Sequence, residues 1–234
     1  MLKLCIFVEG QTERIFLEKF FSEYLGHHNL SIDSYKLFGN KLRQIRGKDK
    51  KYRTLYYIQI FDAGNDVKVM SALKERCENL TNQGFKYLFA LRDVYPNKRT
   101  NIPQIKSTFY ELFKNSVCDG KAKLILAIME IEAWFIADYK VFSRIDSTLS
   151  PDVIFENIGI ELYRINPESL PHPSVTINKI FGIVGKNYKK HEDQAYNIVY
   201  NLDYEFLICS NEVLNKVTSL VYLIKCINDF LLID

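Results

Sequence analysis

The chain has 234 residues, of which 47% are hydrophobic and 25% charged, with a net charge of +3. That suits one α/β domain with a helical extension, or two small domains, and it permits an anionic partner without requiring one. Five widely spaced cysteines (Cys5, Cys77, Cys118, Cys209 and Cys226) with no C-x-x-C suggest neither a disulfide framework nor a zinc knuckle. With no leader-like opening and no apolar run near the ~18 residues of a membrane span, a cytoplasmic protein without a membrane partner is expected.

Leu2 to Val8 reads as a buried strand that stops abruptly at Glu9-Gly10. Thr12 to Leu25 places Phe16, Phe20 and Tyr24 on one helical stripe, flanked by Leu17, Phe21 and Leu25. A second strand, Leu55 to Phe61, ends at Asp62, and a helix follows from about Asp66 to Leu80. The third strand, Phe85 to Leu91, runs into Arg92-Asp93, and Pro103 opens a helix towards Lys114. The fourth, Ala122 to Met129, runs into Glu130-Ile131-Glu132. Beyond Asp138 the chain reads as helices and turns. Ser210 is the expected N-cap of a last helix carrying Leu214, Val217, Val221, Ile224 and Ile227 on one side.

Four apolar strands alternating with helices argue for a mostly parallel four-stranded sheet covered on both faces. Ligands of such sheets lie outside the carboxyl ends of the strands. Glu9, Asp62, Asp93, Glu130 and Glu132 should therefore point to one edge. Carboxylates so placed suit Mg²⁺, a hard cation that takes one or two carboxylates, waters and substrate phosphate. Strand-end acids also complement helix dipoles, so position alone leaves a structural role open.

The string V-E-G-Q-T-E-R-I-F at Val8 to Phe16 resembles the first motif of the Toprim superfamily, found in topoisomerase and primase catalytic domains and in OLD-family nucleases. The resemblance implies that Glu9 is the general acid/base or a metal ligand, and that Gly10 gives a tight turn open to phosphate or metal. The second Toprim motif is D-x-D. Asp93 matches its first aspartate, but Tyr95 stands at the second. Glu132 to Asp138, E-A-W-F-I-A-D, is similar to an E-A-W-L-L-A-D element of small OLD-like bacterial Toprim proteins. Glu132 or Glu130 would then supply the carboxylate that Tyr95 does not, while Trp134 reads chiefly as core packing. The family implies a catalytic domain over 1–138 with a helical extension over 139–234 packed on it. It also implies an abortive-infection effector of the AbiL type, paired with an ABC-type ATPase of the SMC/Rad50 kind.

Lys41 to Arg53 holds Lys41, Arg43, Arg46, Lys48, Lys50, Lys51 and Arg53, with Tyr52, Tyr56 and Tyr57 adjacent. Basic side chains interleaved with aromatics suit a polynucleotide, although a solvated loop explains them too. Lys186, Lys189, Lys190 and His191 read as an exposed helix face. No His/Cys spacing for zinc, no P-loop and no G-x-S-x-G occurs. The expectation is a Mg²⁺- or Mn²⁺-dependent nuclease cleaving RNA or DNA, with Glu9, Asp93 and Glu132 catalytic and Glu9, Asp93, Glu130 and Glu132 as metal ligands. The alternatives are a non-catalytic Toprim-fold module that binds the ATPase or nucleic acid, and a small-nucleotide phosphohydrolase. A homodimer stays open.

Overall fold

A computed structural model describes residues 1–38, 41–47 and 54–232. In chain order the elements are β1 (Leu2–Val8), α1 (Gln11–Leu25), β2 (Leu30–Phe38), β3 (Lys41–Gly47), β4 (Tyr56–Asp62), α2 (Asp66–Asn82), β5 (Tyr87–Asp93), α3 (Ile102–Phe113) and β6 (Ala122–Ala127). Eight helices follow: α4 (Glu132–Ala137), α5 (Val141–Ile145), α6 (Pro151–Ile158), α7 (Pro173–Gly182), α8 (Glu192–Asn201), α9 (Tyr204–Cys209), α10 (Asn211–Leu214) and α11 (Thr218–Leu231).

The sheet has six strands in the order β3-β2-β4-β1-β5-β6, not the four expected. All neighbours are parallel except the β2–β3 pair. The two additional strands carry no clean apolar run. β2 is Leu-Ser-Ile-Asp-Ser-Tyr-Lys-Leu-Phe, and β3 is a basic edge strand over what reads as a polar loop. A charged edge strand is stable there because only one side of its ladder is paired, and the charges discourage further pairing.

Alternate residues of β1 feed two cores. Leu4, Ile6 and Val8 face the larger cluster with α1 and the C-terminal helices, while Cys5 and Phe7 face the smaller one with α2 and α3. α1 therefore lies between the sheet and the C-terminal helices. Even its charged residues Glu13, Arg14 and Glu18 are buried, so its apolar stripe is broader than a surface helix needs. Glu18 is neutralised by Arg14 at 2.9 Å and Arg46 at 2.8 Å.

Three details differ from the sequence reading. Cys77 of α2 and Cys118, 41 residues apart, are joined by a disulfide with Cα atoms 6.1 Å apart. Their spacing gives no hint of this pairing. Ser210 caps the short α10, its hydroxyl accepting from Glu212 N, and α11 starts later, at Thr218. The buried face of α11 is Leu220, Leu223, Cys226, Ile227 and Phe230.

The cap of α11 comes from Glu168. One carboxylate oxygen accepts from Thr218 N and Oγ1 (3.1 and 2.9 Å), and the other accepts from Ser219 N (2.8 Å) and its hydroxyl. Trp134 Nε1 donates to the same Ser219 hydroxyl at 2.7 Å, so the fully buried indole is both core and strut. Glu168→Ala should leave several donors unmet and cost about 2–3 kcal/mol. Chemical denaturation would measure it, and a loss within about 0.5 kcal/mol of zero would contradict this role.

Candidate metal centre

β1 and β5 are adjacent and parallel, yet the helices that follow them, α1 and α3, cover opposite faces of the sheet. This is a topological switch point, where the loops diverge and a crevice opens beyond the carboxyl ends of the strands. Glu9 follows β1 and Asp93 ends β5. They meet there: Glu9 Oε1 accepts from Asp93 N at 2.8 Å. Arg92 Nε stands 3.9 Å from the same oxygen, while its guanidinium donates to Asp66 at 3.2 Å.

Of the remaining expected residues, Glu132 lies in the crevice with a fully buried carboxylate. Its Oε1 accepts from the Tyr188 hydroxyl at 2.9 Å, whereas Oε2 has no hydrogen-bond partner. Glu130 is differently employed. Its two oxygens accept from Ser174 Oγ and Ser174 N, both at 2.8 Å, in the first turn of α7. The E-I-E string thus splits into a helix-capping residue, Glu130, and one whose second buried oxygen makes no hydrogen bond, Glu132. Asp93 uses Oδ1 to accept from Ile131 N at 2.9 Å and keeps Oδ2 on the crevice side.

Two residues that the sequence reading did not place in the site belong to it. Glu13, one turn into α1, is buried, and its Oε2 accepts from Gly10 N at 3.1 Å. Lys190 places Nζ 2.9 Å from Glu132 Oε2, 3.1 Å from Glu130 Oε1 and 4.0 Å from Asp93 Oδ2. It is not on an exposed helix face, because residues 187–191 form an irregular strap before α8. Tyr188 and Lys190 turn to Glu132 from this strap, while Lys189 is exposed. The E-x-x-x-E spacing of Glu9 and Glu13 was the available signal for Glu13. Nothing local marks Lys190.

Other expectations are corrected. Gly10 has an extended backbone (φ −164°), and a Cβ there would make only an ordinary 3.6 Å contact, so no tight turn requires glycine. Asp62 reaches the same strand edge but turns to Gly64 N (2.9 Å) and Lys36 (3.8 Å). Tyr95 is exposed and packs edge-on against His172, ring centroids 5.2 Å apart. Asp138 is tied to Arg144 and to Asp203 N, a structural role.

In the basic segment, Lys41 and Arg43 are exposed on β3, and Arg46 is partly engaged by Glu18. Lys48, Lys50, Lys51 and Arg53 lie outside the described residues, as does Tyr52. Tyr56 packs on Phe230, and the Tyr57 hydroxyl donates to Asp33 at 2.6 Å, so neither is free to stack on a base. β2 adds two unexpected groups, Lys36 and the exposed Phe38, whose ring lies under Lys36 and Arg43 at 5.7 and 5.3 Å.

Burial dominates the acid–base behaviour. Desolvation, reinforced by Glu13, pushes Glu9 from 4.5 up to about 8, with the Asp93 N–H and Arg92 opposing. Glu13 rises to about 7, also by desolvation. Asp93 is raised well above the usual carboxylate range by burial and by Glu13 and Glu9, and Glu132 is raised by burial against the pull of Lys190. Lys190 is held firmly protonated, its burial outweighed by Glu132, Asp93 and Glu130.

The donor set suits a hard cation. The buried Oε2 of Glu132, which makes no hydrogen bond and is paired only ionically with Lys190, and the crevice-side oxygen of Asp93 are the ligand type that Mg²⁺ or Mn²⁺ takes. Among the described residues no group of three or more His, Cys, Asp or Glu side chains is placed to hold a metal ion. Mg²⁺ does not require such a group, because it commonly keeps its waters and relies on one or two carboxylates plus substrate oxygens.

The raised carboxyls predict a pH dependence of stability. The native state holds the Glu9 and Glu13 protons more tightly than the unfolded chain does. Their contribution is complete below 4.5 and is lost as pH rises through about 7 and 8. Without divalent metal, unfolding free energy should therefore decline between about pH 5 and pH 8, and the Glu9→Gln variant should decline less. A wild-type profile no steeper than that of Glu9→Gln would contradict the raised Glu9.

Among the described residues, no helix is long and apolar enough to cross a membrane. No curated protein matches this chain, and no solved structure does. A family described as Domain of unknown function (DUF4276) matches residues 8–206, a span that contains Glu9, Glu13, Asp93, Glu130, Glu132 and Lys190. The chain belongs to the DUF4276 family.

Proposed function

We propose that this chain is a divalent-metal-dependent nuclease of the Toprim type that cleaves the phosphodiester backbone of RNA or DNA. The observation that carries the reading is the junction of Glu9 and Asp93 across the β1/β5 switch point, with the buried Glu132 carboxylate in the same crevice. Asp93 and Glu132 would hold Mg²⁺ or Mn²⁺, with Glu9 beside them. Such an ion would polarise the phosphoryl oxygen and make bound water acidic.

The chain's own groups supply the rest. Glu9, 17% exposed at its side chain and raised to about 8, is matched to accepting the proton of an attacking water or ribose hydroxyl near neutral pH. Arg92, within 3.9 Å of Glu9, offers fixed positive charge at the crevice for the developing negative charge. The β2–β3 hairpin supports the choice of a polymeric substrate. β2 runs parallel to β4, so its end projects at the same edge as the acids. It carries Lys36, Phe38, Lys41 and Arg43 there, suited to phosphates and a stacked base.

The biological setting follows the sequence resemblance alone: a cytoplasmic abortive-infection effector acting with an ABC-type ATPase. A non-catalytic module is the second reading, favoured by Tyr95, an exposed tyrosine packed on His172 at the D-x-D position.

The test is Mn²⁺-dependent cleavage of labelled single- and double-stranded RNA and DNA. Glu9→Gln and Glu132→Gln should each lower the rate at least about 10²-fold while leaving the fold intact. A cleavage rate unaffected by both substitutions, or no cleavage of any of the four substrates, would support the module. For the hairpin, Lys41→Ser with Arg43→Ser should weaken binding across sequences. Each lost phosphate contact should lower the salt slope by roughly 0.7–0.9 in log K per log salt. An unchanged slope in a titration of binding against salt would remove the hairpin from the interface.

A further inference from the structure

The most unusual feature of the crevice is its occupant. Lys190 is a lysine whose ammonium lies within 4.0 Å of three carboxylates, those of Glu132, Glu130 and Asp93. We propose that Lys190 is a competing internal cation, which occupies the Asp93–Glu132 position in the metal-free protein and is expelled when a divalent ion binds. The inference rests on the metal-dependent reading of the site and adds to it how metal occupancy is controlled.

The geometry separates the backbone of Lys190 from its side chain. Its carbonyl accepts from Gln11 Nε2 at 2.8 Å, in the first turn of α1 beside Glu9. The flanking N–H groups of Lys189 and His191 donate to Gln194, and Tyr188 N donates to Asn178. Lys190 itself has a positive φ of 59°, costly for a residue with a side chain and sustained by these surrounding ties. The strap is therefore pinned at the backbone. The side chain is 35% exposed, so part of it already meets solvent.

The ammonium also binds imperfectly. It stands 2.9 Å from Glu132 Oε2, yet that oxygen has no hydrogen bond of acceptable geometry. Asp93 Oδ2 at 4.0 Å is beyond hydrogen-bond reach. Its one well-made bond is to Glu130, which the Ser174 donors hold independently. One positive charge thus serves Glu13, Asp93, Glu130 and Glu132. A stronger cation would compete with it for Asp93 Oδ2 and Glu132 Oε2. A divalent ion carries twice the charge and bonds carboxylate oxygen directly, so it should win at sufficient concentration.

The experiment uses the full chain without nucleic acid and reads free Mn²⁺ by electron paramagnetic resonance at fixed pH. Lys190→Met keeps length and removes charge, and it should bind Mn²⁺ at least about tenfold more tightly than wild type. Lys190→Arg should stay near wild type. The gain should vanish when Glu132→Gln is added to Lys190→Met, since the competition is for that oxygen. Folded Lys190→Met, checked by circular dichroism, with unchanged or weaker Mn²⁺ affinity would overturn the proposal and leave Lys190 as a positioning residue.

Should Lys190→Met fail to fold, the wild type carries the test. Reductive methylation of Lys190, quantified by mass spectrometry, should rise several-fold on Mn²⁺ addition as the ammonium leaves the crevice. A constant or falling signal overturns the proposal. Absence of Mn²⁺ binding by wild type and Lys190→Met alike would overturn the metal reading together with the competition. Tighter binding by Lys190→Met without cleavage of any polynucleotide would sustain the competition and reject the nuclease.

Discussion

Negative charge withdrawn from water governs the architecture of this protein. Glu9, Glu13, Asp93, Glu130 and Glu132 converge beyond the carboxyl ends of β1, β5 and β6, where each would be penalised severely if left ionised and unpaired. The structure answers in three ways. Backbone N–H groups of Gly10, Asp93, Ile131 and Ser174 donate to four of the carboxylates. Lys190 and Arg92 bring positive charge to the rim. The rest is met by holding protons, which is why desolvation leads the causes raising Glu9, Glu13, Asp93 and Glu132. A site with no chemistry to perform would be more stable with apolar residues in these places. Retaining the carboxylates at this cost is what turns a fold description towards function.

That constraint also explains why the C-terminal helices cannot be treated as an appendage. Tyr188 and Lys190, on the strap leading into α8, and Ser174, at the start of α7, all contact the acids of the strand ends. α1 is buried on nearly every side because the sheet covers one flank and the C-terminal helices the other. The larger core runs without a break from Leu4 of β1 to Phe230 of α11. Residues 139–232 therefore complete the crevice that residues 1–138 begin. Glu168, which holds the start of α11 and through Ser219 meets Trp134, belongs to the same arrangement, since the E-A-W segment carries Glu132 on its first residue.

The sequence made legible what depends on local patterning. Four apolar runs marked the four central and flanking parallel strands because a strand buried on both faces must be apolar throughout. Their ends marked Glu9, Asp93 and Glu132, because the abrupt change from apolar run to acid occurs where the chain leaves the sheet. Two strands escaped. β2 mixes Ser31, Asp33 and Ser34 into its buried half, where Asp33 accepts from Tyr57 and Ser34 donates to Glu18 rather than packing as core. β3 is edge and basic, so its charge pattern reads as loop. Lys190 escaped for a different reason. Its neighbours Lys189 and His191 are exposed, and only long-range folding, 60 residues beyond Glu130, tells one lysine from the next.

The same long-range logic bears on Tyr95, the residue that departs from the resembling motif. Loss of a second aspartate would weaken a metal site built only from the β5 end. Here the additional carboxylates come from other elements: Glu13 from α1 and Glu132 from the segment after β6. The acidity of the crevice therefore does not depend on the residue at position 95. Tyr95 packs at the rim against His172. Lys190 is intelligible on the same terms, since acids gathered from several elements and buried together need a cation beside them.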